Sequence, residues 1–324
     1  MRVMTRIRLW AFLTLLGLVT LGQSWSRSLT IHDGAAKPAA ALPLKPGSVR
    51  FAVIGDSGSG DSYQNQVAQQ MVRARARFPF DFVVMLGDNI NGGHSARDFS
   101  VRFEQPYDTL LNAAGVKFYA SLGNHDDPIE CFYKPFNMGG QRYYAFTKGN
   151  VRFIVLDSNY MDPPQLEWLQ KELSSGTSPW KIAYFHHPLY SDGKFHGPDV
   201  DLRARIEPLF EKYGVNVVLS GHEHVYERIQ PQHGIYYFIL GNAGELRVHN
   251  LRPSSAMAVG YDEDRCFMLA EVTGDEFHFQ TIRRTGQIVD SGVLERQQKP
   301  ASANAPLKSL NVVPSYAVQE SELQ

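Results

Sequence analysis

Cysteine is nearly missing from this chain. Cys131 and Cys266 are the two in 324 residues. Two cysteines exclude a disulfide-rich scaffold and an all-cysteine zinc site. They leave open one bridge in an oxidising compartment, which sequence alone does not decide. Excess charge is missing too: 32 Lys and Arg stand against 33 Asp and Glu, for a net charge of -1. Without a basic surplus to neutralise a phosphate backbone, nucleic-acid binding is not expected. A small anionic substrate held by metal ions is not excluded. Long apolar runs are also lacking. The stretch from Leu9 to Leu21 falls short of the ~20 residues that span a bilayer comfortably. There is no internal repeat, and Cys131, near Asp126 in the sequence, has no base argued for it as a nucleophile. What is present, 43% hydrophobic and 20% charged residues, is ordinary for a core-forming globular protein of one large or two ordinary domains.

Arg2, Arg6 and Arg8 precede the apolar stretch, so residues 1–28 read as a signal peptide. Trp25 and Arg27 are poor cleavage neighbours, which makes an uncleaved N-terminal anchor the competing reading. Either one places the rest outside the cytoplasm, secreted or periplasmic; the second adds membrane anchoring. Residues 29–47, rich in Ala and Pro, read as a linker. Residues 48–296 form the expected folded domain, and residues 297–324, polar and Pro/Ala/Ser-rich, a disordered tail.

Within the domain, short β-branched runs alternate with helical periodicity. Strands are expected at Val49–Ile54, Phe82–Leu86, Val116–Ser121, Trp180–Phe185 and Val215–Ser220. Helices are expected at Ser62–Arg77, Ala96–Ala113, Pro163–Leu173 and Asp201–Tyr213. A hairpin fits Tyr143–Thr147 with Val151–Leu156. After His224 only strands follow: Ile235–Leu240, Cys266–Val272, Glu276–Arg283 and Ile288–Leu294. The fold class is α/β with α+β-like mixing: two packed mixed β-sheets with flanking helices.

Five strand ends carry a residue suited to a metal: Asp56, Asp88, Asn124, His186 and the pair His222 and His224. Open α/β sheets bind ligands beyond the carboxyl ends of their strands. Residues i and i+2 of an extended chain face the same way, so His222 and His224 suit one metal or two neighbouring ones. Each residue taken singly has a bland reading: a Gly-Asp turn, an Asx turn, a satisfied core histidine. Five such positions together favour one shared site. Carboxylates and neutral imidazoles suit zinc, iron or manganese, and a carboxylate can bridge two such ions.

The ordered blocks Gly55-Asp56, Gly87-Asp88-Asn89, Gly123-Asn124-His125-Asp126, His186-His187-Pro188 and Gly221-His222-Glu223-His224 resemble those of the calcineurin-like metallophosphoesterases. Gly58, where many members carry a histidine, and His196-Gly197-Pro198 resemble the purple acid phosphatase branch, in particular its short tartrate-resistant type. The resemblance covers roughly Val49 to Arg283 and implies the metallophosphoesterase sandwich. It also implies two metal ions (Fe, Mn or Zn). Asp56, Asp88 and His224 would hold the first; Asp88, Asn124, His186 and His222 would hold the second, with Asp88 bridging. His125, steadied by Asp126, would contact the phosphate and help protonate the leaving oxygen. His196 would be a second phosphate contact or acid, against the bland reading of a loop histidine. His187 would support its neighbours.

One departure stands out. The branch carries a tyrosine three residues after the bridging aspartate, where this chain has Asn91. The first metal therefore lacks a side-chain ligand unless the Asn91 amide oxygen or water takes the place, and the resemblance then implies a site without the purple tyrosinate band. The expected activity is phosphomonoester hydrolysis by direct attack of metal-bound hydroxide. Alternatives are a phosphodiesterase acting on nucleotides or phospholipid head groups, and a non-catalytic phosphate-binding protein with a degraded first metal site.

Overall fold

The computed structural model describes residues 41–297. The expected targeting segment, most of the linker and nearly all of the polar tail lie outside the described residues. Among the described residues no helix is long and apolar enough to cross a membrane.

Two mixed sheets form the domain. The first runs in the order β13 (Ile288–Glu295), β12 (Glu276–Arg283), β11 (Cys266–Thr273), β1 (Val49–Ile54), β2 (Phe82–Leu86), β3 (Lys117–Ser121). The second runs β10 (Met257–Tyr261), β8 (Tyr226–Gln232), β9 (Ile235–Leu240), β7 (Val217–Ser220), β6 (Trp180–Tyr184), β5 (Val151–Val155), β4 (Tyr144–Lys148). Strands β1, β2 and β3 are parallel, as are β5, β6, β7 and β9. These are the near-continuous apolar strands, as expected for parallel strands buried on both faces.

Between the sheets lies an aromatic core. Phe51 stacks on Phe82 at 5.4 Å and meets Phe153 of the other sheet edge-on at 5.3 Å. Trp180 and Phe277 close the same layer, both buried. Each such side chain contributes about 1.5–3 kcal/mol by leaving water. The helix Ser62–Arg75 lays Val67, Ala68 and Met71 on the outer face of the first sheet. It starts at Asp61, whose carboxylate accepts from the Tyr63 and Gln64 N–H groups at 2.9 and 2.8 Å. Helices Pro163–Ser175 and Val200–Tyr213 cover the second sheet in the same way.

The structure differs from the sequence expectations in several places. The segment 96–113 is helical throughout but not uniform. α-Helical turns at Ala96–Phe99 and Gln105–Asp108 alternate with π-helical turns at Ser100–Glu104 and Thr109–Ala113. Pro106 has no N–H for the turn before it, which favours a wider turn there. Strands β8 and β10 were not expected. β8 hides behind Glu227, Arg228 and Pro231, whose polarity is answered by tertiary partners: Glu227 accepts from Ser191 Oγ, and Arg228 pairs with Asp290 at 2.7 Å. β10 is a half-buried strand at the end of its sheet. The bridge left open between the cysteines does not form, and both are free. Cys131 lies in the core under the helices and Cys266 in the core between the sheets, so they sit in different packing layers.

Candidate metal centre

The carboxyl ends of β1, β2 and β3 in one sheet meet those of β6 and β7 in the other. Contacts across the sandwich fix the meeting. The His222 N–H donates to Asp56 Oδ2 at 2.9 Å, and His186 Nδ1 lies 2.9 Å from the Leu86 carbonyl oxygen. Glycine makes this closeness possible. A Cβ on Gly221 would stand 2.4 Å from Asp56 Oδ2. Three of the polar residues at the junction have left-handed backbones, with φ of 50° at Asp56, 51° at Asp88 and 70° at His222. Such positions cost non-glycine residues about 1–3 kcal/mol each and gather at functional sites. Backbone bonds hold them in place, with Asp56 N–H donating to the Gly87 carbonyl at 3.0 Å.

The donor atoms face one another. The Leu86 carbonyl can only accept, so Nδ1 of His186 carries the proton and Nε2 presents its lone pair. Around that nitrogen stand Asn124 Oδ1 at 2.9 Å, His222 Nδ1 at 3.1 Å and Asp88 Oδ1 at 3.5 Å. Asp56, Asp88 and His186 each place a ligand atom within 4.8 Å of the others. His224 Nε2 lies 3.3 Å from Asp56 Oδ1, a buried oxygen that makes no hydrogen bond. Burial, then the Asp88 charge, pushes the Asp56 carboxyl well above its usual range. Burial raises Asp88 as well. Burial holds His186, His222 and His224 below the usual imidazole value, hence neutral. Lone pairs converging on lone pairs repel, and a cation among them reverses the sign. This oxygen and imidazole donor set fits divalent zinc, iron or manganese.

The other expected residues surround this cluster. His125 is exposed at the mouth, and its N–H donates to Asp88 Oδ1 at 3.0 Å. Asp126 acts one step back from it. Its carboxylate accepts from Asn89 N–H and Nδ2 at 2.7 Å, from Ile90 N–H at 3.0 Å and from Gly123 N–H at 2.9 Å. It thereby ties the loop after β2 to the loop that carries His125. Burial pushes the Asp126 carboxyl up to about 7, with the Asp88 charge adding to it. His196 is exposed, its ring 3.9 Å from that of His222. Asn91 turns its Nδ2 to Glu245 Oε1 at 3.1 Å. His187 Nδ1 meets Ser158 Oγ at 2.8 Å, with its ring 4.5 Å from His222.

Sequence reasoning missed several supports of this site. Glu223, between the two motif histidines, is buried. Its Oε1 accepts from the N–H groups of His196 and Gly197 at 2.7 and 2.6 Å, and Oε2 accepts from Asn250 Nδ2 at 2.7 Å. It thus pins the His196 loop over the cluster. A charged residue placed where burial follows from the flanking motif was the available signal. Arg247 Nε approaches His224 Nδ1 at 3.2 Å, and its guanidinium carbon lies 3.4 Å from the centre of the Phe195 ring. Glu130 is buried behind Asp126, and burial, then the Asp126 charge, pushes its carboxyl up to about 10. No local pattern marks Arg247 or Glu130. A cleft of about 390 Å³, lined by Asn124, Asp126, Ser158, Tyr160 and His187 among others, opens beside the cluster.

The chain is similar to several known proteins. Residues 49–226 match the sequence profile described as calcineurin-like phosphoesterase. Purple acid phosphatase 17 of Arabidopsis thaliana is 24% identical over 291 residues, covering 78% of this chain and 86% of the plant protein. Tartrate-resistant acid phosphatase type 5 of Rattus norvegicus is 25% identical over 305 residues, covering 78% of this chain and 92% of the rat protein. Two solved structures share the fold. The yellow lupin purple acid phosphatase PPD1 superposes with a TM-score of 0.64 at 19% identity, over 81% of this chain and 58% of that one. GAP50, described as the anchor in the inner membrane complex of Plasmodium, gives 0.67 at 19% identity, over 78% and 90%.

Proposed function

The chain belongs to the calcineurin-like phosphoesterase family, whose members are metal-dependent phosphoesterases, and we propose that this one hydrolyses phosphate monoesters at a two-metal centre. One observation carries the proposal: the convergence of Asp56, Asp88, Asn124, His186, His222 and His224 from both sheets, with His186 Nε2 facing Asn124 Oδ1 at 2.9 Å and Asp88 Oδ1 at 3.5 Å. Asp56, Asp88 and His224 would hold one metal, and Asp88, Asn124, His186 and His222 the other. When bound, the two ions supply charge neutralisation at the phosphoryl group and a water acidified toward neutrality.

The chain's own groups do the rest. Phosphoryl transfer needs chiefly positioning and charge stabilisation. His125, held at the mouth by its N–H bond to Asp88, is placed to touch the phosphate and to give a proton to the departing alkoxide. His196, held by Glu223, faces the same opening and is the second candidate acid. Asp126 keeps the two strand-end loops at a fixed separation, so that His125 and Asp88 move together. The targeting segment read at residues 1–28 assigns this activity to a secreted or periplasmic setting, as part of the same proposal.

The test compares release of nitrophenol from a nitrophenyl monoester and from the bis-ester, with and without chelator. Chelator-sensitive hydrolysis that strongly prefers the monoester supports the reading. Preference for the bis-ester replaces it with a phosphodiesterase.

A further inference from the structure

The first metal has three protein donors in this reading, Asp56, Asp88 and His224. The resemblance puts an anionic phenolate at position 91 or an imidazole at position 58. This chain offers neither. Asn91 is neutral. At position 58 no side chain fits, since a Cβ there would meet the Asn89 carbonyl oxygen at 2.3 Å and the Asn91 nitrogen at 2.7 Å.

Glu245 stands nearby. It follows β9 in the run Gly241-Asn242-Ala243-Gly244-Glu245, another chain segment leaving the end of a parallel strand. This segment is pinned against the turn that carries Asp56. The N–H groups of Gly244 and Glu245 both donate to the Asp56 carbonyl, at 3.2 and 3.0 Å. Gly244 packs so tightly that a Cβ would meet the Ser57 carbonyl oxygen at 2.6 Å. The Glu245 side chain turns to Asn91, which donates Nδ2 to Oε1 at 3.1 Å. It is close enough for its charge to bear on both Asp56 and His224. The Asp56 Oδ1 is buried and no hydrogen bond satisfies it.

We propose that Glu245 is the side chain that completes the first metal's ligand set, with Asn91 as the positioning residue that holds its carboxylate. The proposal rests on the two-metal reading and adds the missing ligand to it. A carboxylate keeps the single negative charge that a phenolate would bring, which a neutral Asn91 amide does not. One amide N–H on Oε1 leaves Glu245 with Oε2 and further lone pairs for a cation. The resulting first site has three carboxylates and one imidazole. Such a set favours hard, oxygen-seeking cations such as Mn²⁺ over softer ones.

The test is titration of the folded, metal-stripped protein with Mn²⁺, reading ions bound per chain and their affinities by calorimetry and by electron paramagnetic resonance. Wild type is expected to bind two. Glu245→Gln, nearly isosteric, should keep one tight site and weaken the other by about 10–100-fold or more; Asn91→Ala should weaken the same site by about 10-fold. Thermal unfolding without metal, unchanged between wild type and Glu245→Gln, separates a lost ligand from a damaged fold. Two sites of unchanged affinity in Glu245→Gln overturn the role of Glu245 and leave the two-metal reading standing. Fewer than two sites in wild type overturns that reading, and this inference with it.

Discussion

The Nδ1–H of His186 donates to the carbonyl oxygen of Leu86 across 2.9 Å, from one sheet of the sandwich to the other. That bond sets the tautomer, aims Nε2 at Asn124 and Asp88, and ties the strand-end loops of the two sheets together. Replacing His186 with Ala removes both the Nδ1–H that holds the Leu86 carbonyl and the Nε2 lone pair. The expected result is loss of one metal per chain and a drop in phosphate release of more than about 100-fold, beyond the usual cost of an outer-shell partner. Elemental analysis beside a turnover assay checks both.

His196 Nα–H donates to Glu223 Oε1 at 2.7 Å, so the loop histidine is fixed by a residue of the motif itself. If His196 protonates the leaving oxygen, His196→Ala should slow hydrolysis of an alkyl phosphate by about 100-fold or more. Nitrophenyl phosphate, whose leaving group needs no proton, should be nearly unaffected. Glu223→Gln should show a weaker version of the same split. Equal losses on both substrates would assign His196 to phosphate binding instead.

The Glu130 carboxyl is pushed from a usual value of 4.5 up to about 10, first by burial and then by the Asp126 charge. The folded protein therefore holds this proton more tightly than the unfolded chain does. Its stabilising contribution is complete below about pH 4.5 and is lost as pH rises toward about 10. Glu130→Gln keeps the neutral form at every pH. In metal-saturated protein the variant should gain on wild type between pH 5 and pH 9, with Tm differences that widen by at least ~3 °C. A constant difference across that range would mean that the Glu130 carboxyl is not raised on folding and is ionised in the folded and unfolded states alike.

The parts of this fold that the sequence made legible are those whose cause is local. Val49–Ile54 and Phe82–Leu86 are apolar enough to be buried on both faces, and each runs straight into a Gly-Asp turn. The polar residue at each of those strand ends was therefore readable before any tertiary structure. Glu245 was not. Its place depends on β9 lying in the second sheet while its C-terminal turn folds back onto the Asp56 turn of the first. β8 was not legible for a related reason: its charged Glu227 is satisfied only by tertiary partners, Ser191 and the Asp192 N–H. The two cysteines could not be placed from sequence, because the packing layer of Cys131 is set by the segment 128–140 folding under the helices.

The measurement that bears most directly on the central claim is metal content of the purified chain, taken with phosphate release before and after chelation and after metal is returned. The account predicts two ions per chain, activity abolished by chelator and restored by Mn, Fe or Zn, and no tyrosinate colour, since Asn91 stands where a phenolate would. One ion or none, with no hydrolysis of any phosphate ester after metal is supplied, would contradict it.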